Sequence, residues 1–268
     1  MISRFTQFLE SFNAEPDTSI ERLMRLVDRW RQSQIGNAVI DYIEQDIKDF
    51  RFDSYIESGG LYYSKYDAIL ITPFLSDDMT MRFFPHEARH DWQKENGLFD
   101  YDGLSFDDHV LLTRITEADA HSYTVAVCIL HAAETGDDAP LRALKKNMRY
   151  AHLVKKWEKS DDPTLNTPAN LRRFLFDAFF DSKNIAVLEY DSYARKCYMN
   201  KKDKTVTRTL DIELLNKVGD MGDMGFPSGN FITEVEGPSL SDTKYRQGLP
   251  SDKKKHQFRP KKRRGLFT

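Results

Sequence analysis

The sequence predicts an α+β fold that is mostly helical, with a small β-sheet ahead of a central helix. Three observations predict it. Several long stretches repeat apolar residues at helical spacing and carry capping signals at their ends. One stretch, from Leu61 to Pro73, is aromatic and β-branched and reads as a strand or a hairpin. Helical runs around one short sheet, without regular strand–helix alternation, belong to the α+β class.

Taken in order, residues 18–33 and 35–49 read as amphipathic helices that cover the sheet, with Asp17 as the N-cap of the first. Gly59-Gly60 opens the strand segment, whose free edge would suit an extended peptide. Next comes a helix through residues 85–95, stopped by Asn96-Gly97. Pro85 either opens that helix at its first position or kinks one begun near Asp77-Asp78. Ser105-Phe106-Asp107-Asp108 resembles a capping box, and the run from Phe106 to Thr135 has few breakers before Gly136. Asp138 and Pro140 start a helix to about Lys159, and Thr167-Pro168 starts another to about Asp181. Residues 185–199 are ambiguous between helix and strand, 209–218 look helical, and 219–250 read as irregular. The expected domains are a lead-in at 1–17, a core at 18–218, an irregular segment at 219–250 and a basic tail at 251–268.

The chemistry sits in His86-Glu87-Ala88-Arg89-His90, an H-E-x-x-H pattern. Residues four apart on a helix lie about 40° apart and roughly 6 Å along the axis, so both imidazoles can meet one metal ion. Glu87, off that line, is placed to act as the catalytic base on an activated water. Met81, Phe84, Ala88 and Trp92 fall on the opposite side of the wheel and give the helix an apolar back.

A catalytic zinc site takes three protein ligands and keeps one position open. The next helix carries Thr116-Glu117-Ala118-Asp119-Ala120-His121 and is apolar almost all round, so a carboxylate in its middle needs a metal or a partner. Glu117 is the candidate third ligand; an ion pair with Arg114 is the alternative. His121 shares the face of Glu117 and reads as an alternative ligand or a support for the ligands. Asp119 competes for the same roles, although it lies about 160° from Glu117 on the wheel. Tyr63, Tyr123, Tyr150 and His152 are of the right type to stabilise an oxyanion, and no spacing selects among them.

An H-E-x-x-H helix followed by a Glu-bearing helix resembles the glutamate zincins, the thermolysin-like group. More narrowly, His86-Glu87-Ala88-Arg89-His90-Asp91-Trp92-Gln93 with Glu117-Ala118-Asp119-Ala120 is similar to a group of bacterial metallopeptidases of unassigned substrate. The resemblance covers roughly residues 55–135. It implies a zincin-like metallopeptidase fold, Zn²⁺ held by His86, His90 and Glu117, Glu87 as base, and a peptide or protein substrate. His121 stands where the thermolysin pattern would have an Asp.

Composition narrows the class. The chain has 268 residues, 40% hydrophobic and 30% charged, enough for a sizeable core in a soluble protein. No apolar run reaches the roughly 18–20 residues of a spanning helix, and Met1–Pro16 has no apolar h-region, so neither a membrane span nor a signal peptide is expected. Cys128 and Cys197 form no C-x-x-C pair, and a cytoplasmic location is the default. The last 18 residues hold eight Lys/Arg and one Asp, a net +7, which leaves −10 on the other 250 for a total of −3. That charge density predicts a disordered tail. The tail suits contact with nucleic acid, a nuclear targeting signal on a protein delivered into a host cell, or plain solvation. The competing function is a catalytically inactive helical adaptor with such a tail. Nothing in the sequence sets the oligomeric state.

Overall fold

The computed structural model describes residues 18–181, 184–222, 224–240, 243–246 and 249. The tail and the lead-in at 1–17 lie outside them. The chain is mainly helical with one three-stranded sheet, as the sequence predicts. In order, the elements are α1 (Ile20–Trp30), α2 (Gln34–Asp46), β1 (Asp49–Phe52), β2 (Gly60–Tyr63), β3 (Ala68–Ile71), α3 (Asp77–Met81), α4 (Phe83–Glu95), α5 (Phe106–Thr135), α6 (Ala139–Lys146), α7 (Ala151–Glu158), α8 (Pro168–Phe179), α9 (Ile185–Asn200), α10 (Ile212–Asn216) and α11 (Thr243–Arg246). Short 3₁₀ turns fall at Pro163–Asn166 and Lys217–Gly219.

The 30-residue α5 is the axis of the molecule. Ser105 caps its start, accepting from the Asp108 N–H at 3.2 Å, and Gly136 ends it in the left-handed region at φ 77°. Helices α4, α8 and α9 pack along it, so its middle is buried on nearly every side. One continuous cluster, from Leu23 and Trp30 through Phe84, Leu112 and Tyr123 to Phe176 and Phe231, joins these helices. Met221, Met224, Phe226, Phe231, Ile232, Leu240 and Tyr245 of the irregular segment are buried in the same cluster. Among the described residues no helix is long and apolar enough to cross a membrane.

The strand segment is a hairpin of β2 and β3, paired antiparallel from Gly60↔Ile71 to Tyr63↔Ala68. Its central strand β3 is wholly buried and also pairs in parallel with β1. Here the helix expected over 35–49 needs correction. It ends at Asp46, Ile47 turns extended, and Asp49–Phe52 join the sheet. Long-range pairing with Ala68–Ile71 overrides the local pattern. The N-cap of α1 is Ser19, which accepts from the Arg22 N–H, rather than Asp17. The helix expected over 140–159 is two helices, broken where Asn147 is extended and accepts the Arg149 N–H on its own side chain. The helix expected over 209–218 shrinks to α10.

Pro85 kinks a helical run that begins at Asp77, between α3 and α4. Proline has no N–H for the Met81 carbonyl four residues back. The Trp30 indole N–H donates to that carbonyl instead, at 3.2 Å. Trp30 is wholly buried, so the break between α3 and α4 is tied to the core.

Candidate metal centre

Where α4 crosses α5, three imidazoles and one carboxylate converge. His86 Nε2 lies 3.9 Å from Glu117 Oε2, His90 Nε2 lies 3.8 Å from Glu117 Oε1, and His121 Nε2 lies 4.0 Å from Glu117 Oε2. These separations are too long for hydrogen bonds. They are close to what atoms bound at ~2 Å to one ion require. His86, Glu117 and His121 each offer a ligand atom within 4.8 Å of the others. Glu117 Oε2 is buried with no hydrogen-bond partner among the described residues. A buried carboxylate oxygen with no donor, facing imidazole nitrogens, fits a cation better than it fits a packed core.

The outer ring atoms are held. The Tyr150 hydroxyl lies 3.0 Å from His86 Nδ1, and Gln93 Oε1 lies 2.9 Å from His90 Nδ1. A donor–acceptor bond at Nδ1 orients the ring and leaves Nε2 toward Glu117. His121 differs: its Nε2 lies 2.9 Å from the Tyr190 hydroxyl, its Nδ1 is buried without a partner among the described residues, and its ring stacks on Tyr150.

Electrostatics follow from burial. Burial pushes the Glu117 carboxyl up, against the pull of His90 and Tyr190. Burial, then His90 and His121, push His86 well below the usual histidine range, and burial does the same to His121. At His90 burial is outweighed by Glu117 and Glu87, and the net direction is upward. Glu87 is buried beside the cluster and is pushed up to about 7 by desolvation. Its Oε2 accepts the Tyr62 N–H of the edge strand β2 at 2.8 Å. A Cβ at Gly60 would run into the Phe83 ring and crowd Glu87 Oε1, so β2 can approach α4 this closely only with glycine there.

Asp119 is not part of this cluster. Its Oδ2 accepts from Arg89 Nε at 2.8 Å and Gln93 Nε2 at 2.7 Å, and its Oδ1 from Arg172 Nη2 at 2.5 Å. The candidate ligand role for Asp119 is corrected accordingly: α5 turns it to the opposite side, where two arginines claim it. The Arg114–Glu117 ion pair does not form either, because Arg114 takes both oxygens of Asp191 at 2.6 Å. Of the oxyanion candidates, Tyr150 alone reaches the cluster by a hydrogen bond. The Tyr123 hydroxyl donates to the Met224 carbonyl, His152 pairs with Asp181, and Tyr63 stands exposed on β2. A second acidic group, Asp67, Asp91 and Glu95, is already served by Lys48, Lys94 and Tyr42.

Sequence reasoning missed Gln93, Tyr190 and Arg82. Gln93 had a signal, since three residues after His90 puts it on the histidine face. Arg82 had one too, four residues before His86. Tyr190 had none, because it arrives from α9 by tertiary packing.

The chain matches the family described as "Putative metallopeptidase family (DUF6782)" over residues 7–226, and it belongs to that family. Comparison with curated proteins and with solved structures gave no match.

Proposed function

We propose that this member of a metallopeptidase family is a zinc-dependent peptidase of the glutamate-zincin type, with His86, His90 and Glu117 holding the ion. The observation that carries the reading is Glu117 Oε2, buried without a donor and faced by imidazole nitrogens at 3.9 and 4.0 Å. His86 and His90 are preferred to His121 because their Nδ1 atoms are anchored and their Nε2 atoms are turned to Glu117. His121, with Nε2 against Tyr190, supports the ligands or serves as an alternative one.

When bound, such an ion supplies Lewis-acid polarisation of a carbonyl and a more acidic water. The chain's own groups do the rest. Glu87 has Oε2 committed to the Tyr62 N–H, which leaves Oε1 to take a proton from the attacking water and return it to the leaving amine. Tyr150 holds the His86 ring and stacks on His121, which places its hydroxyl at the edge of the reaction centre. His86, Glu87, His121 and Tyr150 are buried while His90 and Glu117 stay partly exposed, so the site is open at one side and its interactions are strengthened by limited solvent.

The test is metal content followed by hydrolysis. Full-length protein purified without chelator should carry about one zinc per chain and cleave a mixed peptide library. Glu87→Gln should keep the zinc and lose cleavage by about 10²-fold or more, the scale of a lost general base. A chain that takes up no zinc, or a Glu87→Gln variant as active as wild type, would refute the reading.

A further inference from the structure

Arg82 is 8% exposed, yet its Nε and Nη1 atoms are buried with no hydrogen-bond partner among the described residues. Arg172 likewise has Nε and Nη1 without a hydrogen-bond partner among the described residues, but it and the other buried arginines near the site each keep an ion pair with a carboxylate, which Arg82 lacks among them. Arg89 and Arg172 share Asp119, and Arg114 grips Asp191. Arg82 has aromatic rings beside it instead, with Cζ 4.4 Å from the Phe83 centroid and 5.3 Å from that of Tyr150.

Its position ties it to the candidate centre. Arg82, in helical conformation just before α4, is spaced by four from His86 and His86 by four from His90, so the three follow one stripe. The Tyr150 ring under its guanidinium carries the hydroxyl that holds His86 Nδ1. Arg149, whose Nε pairs with Glu189 at 2.6 Å, adds positive charge on the same side. Positive charge and unused planar donors one helical turn from the hydrolytic centre are what a substrate carboxylate needs, and a guanidinium can take it through two parallel N–H bonds.

We infer that Arg82 is the anchor of a subsite that binds a carboxylate of the peptide substrate. The carboxylate is either an acidic side chain or the free C-terminus; both present the same chemistry to Arg82. The inference rests on the peptidase reading for the identity of the ligand as a peptide. It would make the enzyme selective for acidic peptides or for chain ends rather than general.

The test reads binding, not turnover. Full-length protein is stripped with phenanthroline, a neutral chelator, because a polycarboxylate chelator would compete for the subsite. Thermal shifts are then titrated with three compounds: Nα-acetyl-leucine, which has only a terminal carboxylate, Nα-acetyl-glutamate amide, which has only a side-chain carboxylate, and Nα-acetyl-glutamine amide, which has neither. One carboxylate compound should stabilise wild type in a saturable way while the neutral amide does not, and which one it is names the source. Arg82→Met should weaken that binding by about tenfold or more, the scale of a lost charge-assisted hydrogen bond. Arg82→Lys keeps the charge without the planar fork and should weaken it less, which covers the case that Arg82→Met does not fold. Equal stabilisation by all three compounds, by none, or by carboxylates with the same affinity in wild type and both variants would overturn the subsite. Zinc titration of the same protein reads the other question separately. A chain that binds carboxylates through Arg82 but no zinc keeps the subsite and loses the peptidase reading; the reverse loses the subsite alone.

Discussion

Two buried charged regions lie on opposite sides of the crossing between α4 and α5, and they are built by opposite rules. On one side Asp119 has both oxygens engaged by Arg89, Arg172 and Gln93. Arg89 also donates to the Val218 and Asp220 carbonyls, and the Arg172 guanidinium lies over the rings of Tyr123, Phe226 and Phe231. On the other side Glu117 Oε2 has no donor among the described residues, although three imidazoles face the carboxylate. The first region spends its charges on holding the α4–α5 crossing to α8 and the irregular segment. The second is slightly more open, and its imidazoles converge on a carboxylate oxygen that has no donor among the described residues, as a proposed ligand site would require.

The contrast predicts opposite responses to losing one carboxylate. Asp119→Ala strips two buried arginines of their counter-charge and should destabilise the metal-free protein by about 3–5 kcal/mol. Glu117→Gln removes a carboxylate whose Oε2 has no hydrogen-bond donor among the described residues, and metal-free stability should stay within about 1 kcal/mol of wild type or rise. The same Glu117→Gln protein should lose the stabilisation that zinc gives wild type, which approaches about 4 kcal/mol at a thousandfold excess over Kd. Chemical denaturation with and without zinc reads all three. A Glu117→Gln variant that unfolds as readily as Asp119→Ala would erase the distinction and make Glu117 a structural residue.

How much of this could be read from the sequence depends on range. The H-E-x-x-H line, the apolar back of α4, the Ser105 cap and the Gly136 stop are local patterns, and helix geometry alone brings His86 to His90 and Glu117 to His121. The meeting of the two helices was legible only as a demand, a carboxylate in an apolar helix that needs a partner. Which partner it takes is tertiary: Arg114, three residues away, goes to Asp191 on α9 instead. Strand β1 was invisible for the same reason, since Asp49–Phe52 is extended only because Ala68–Ile71 lies beside it. Tyr150 reaches His86 because the chain breaks after Lys146, and no periodicity forecasts that break. That Met221, Met224, Phe226, Phe231, Ile232, Leu240 and Tyr245 join the core was hidden because these apolar residues are scattered with no period at all.

An unpartnered atom is not by itself a ligand, and His109 sharpens the point. It is buried on α5 between the Tyr101 and Tyr198 rings, its Nδ1 has no partner among the described residues, and no carboxylate converges on it. Burial, then Lys201, pushes its pKa down to about 4. A histidine depressed in the fold stays neutral there while the unfolded chain takes up a proton below about 6.5, so its contribution is full above that pH and is lost as pH falls toward 4. His109→Phe keeps a ring in place and removes the titration. Between pH 7 and pH 5 the metal-stripped variant should therefore lose about 2 kcal/mol less stability than wild type. Equal losses would show that His109 is charged in the fold and has a partner after all, which would weaken the use of missing partners to locate the centre.

Gln93 joins the two regions and gives the finest test of their separation. Its amide N–H groups donate to Asp119 Oδ2 and to the Thr116 carbonyl, and that fixes its Oε1 toward His90 Nδ1. The paired region thus sets the tautomer and tilt of a ring in the convergent one. Gln93→Leu retains most of the volume and removes both links. Zinc affinity should fall about 10–100-fold, as it does when a group supporting a metal-bound histidine is lost. Global stability should fall less than in Asp119→Ala, because Arg89 and Arg172 still hold the carboxylate. Competition titration against a zinc indicator, paired with denaturation of the metal-free protein, separates the two effects. If affinity is unchanged while stability falls, Gln93 belongs wholly to the ion-pair region. His90 would then have no support of its own, and His86, Glu117 and His121, already within 4.8 Å of one another, would be the better ligand set.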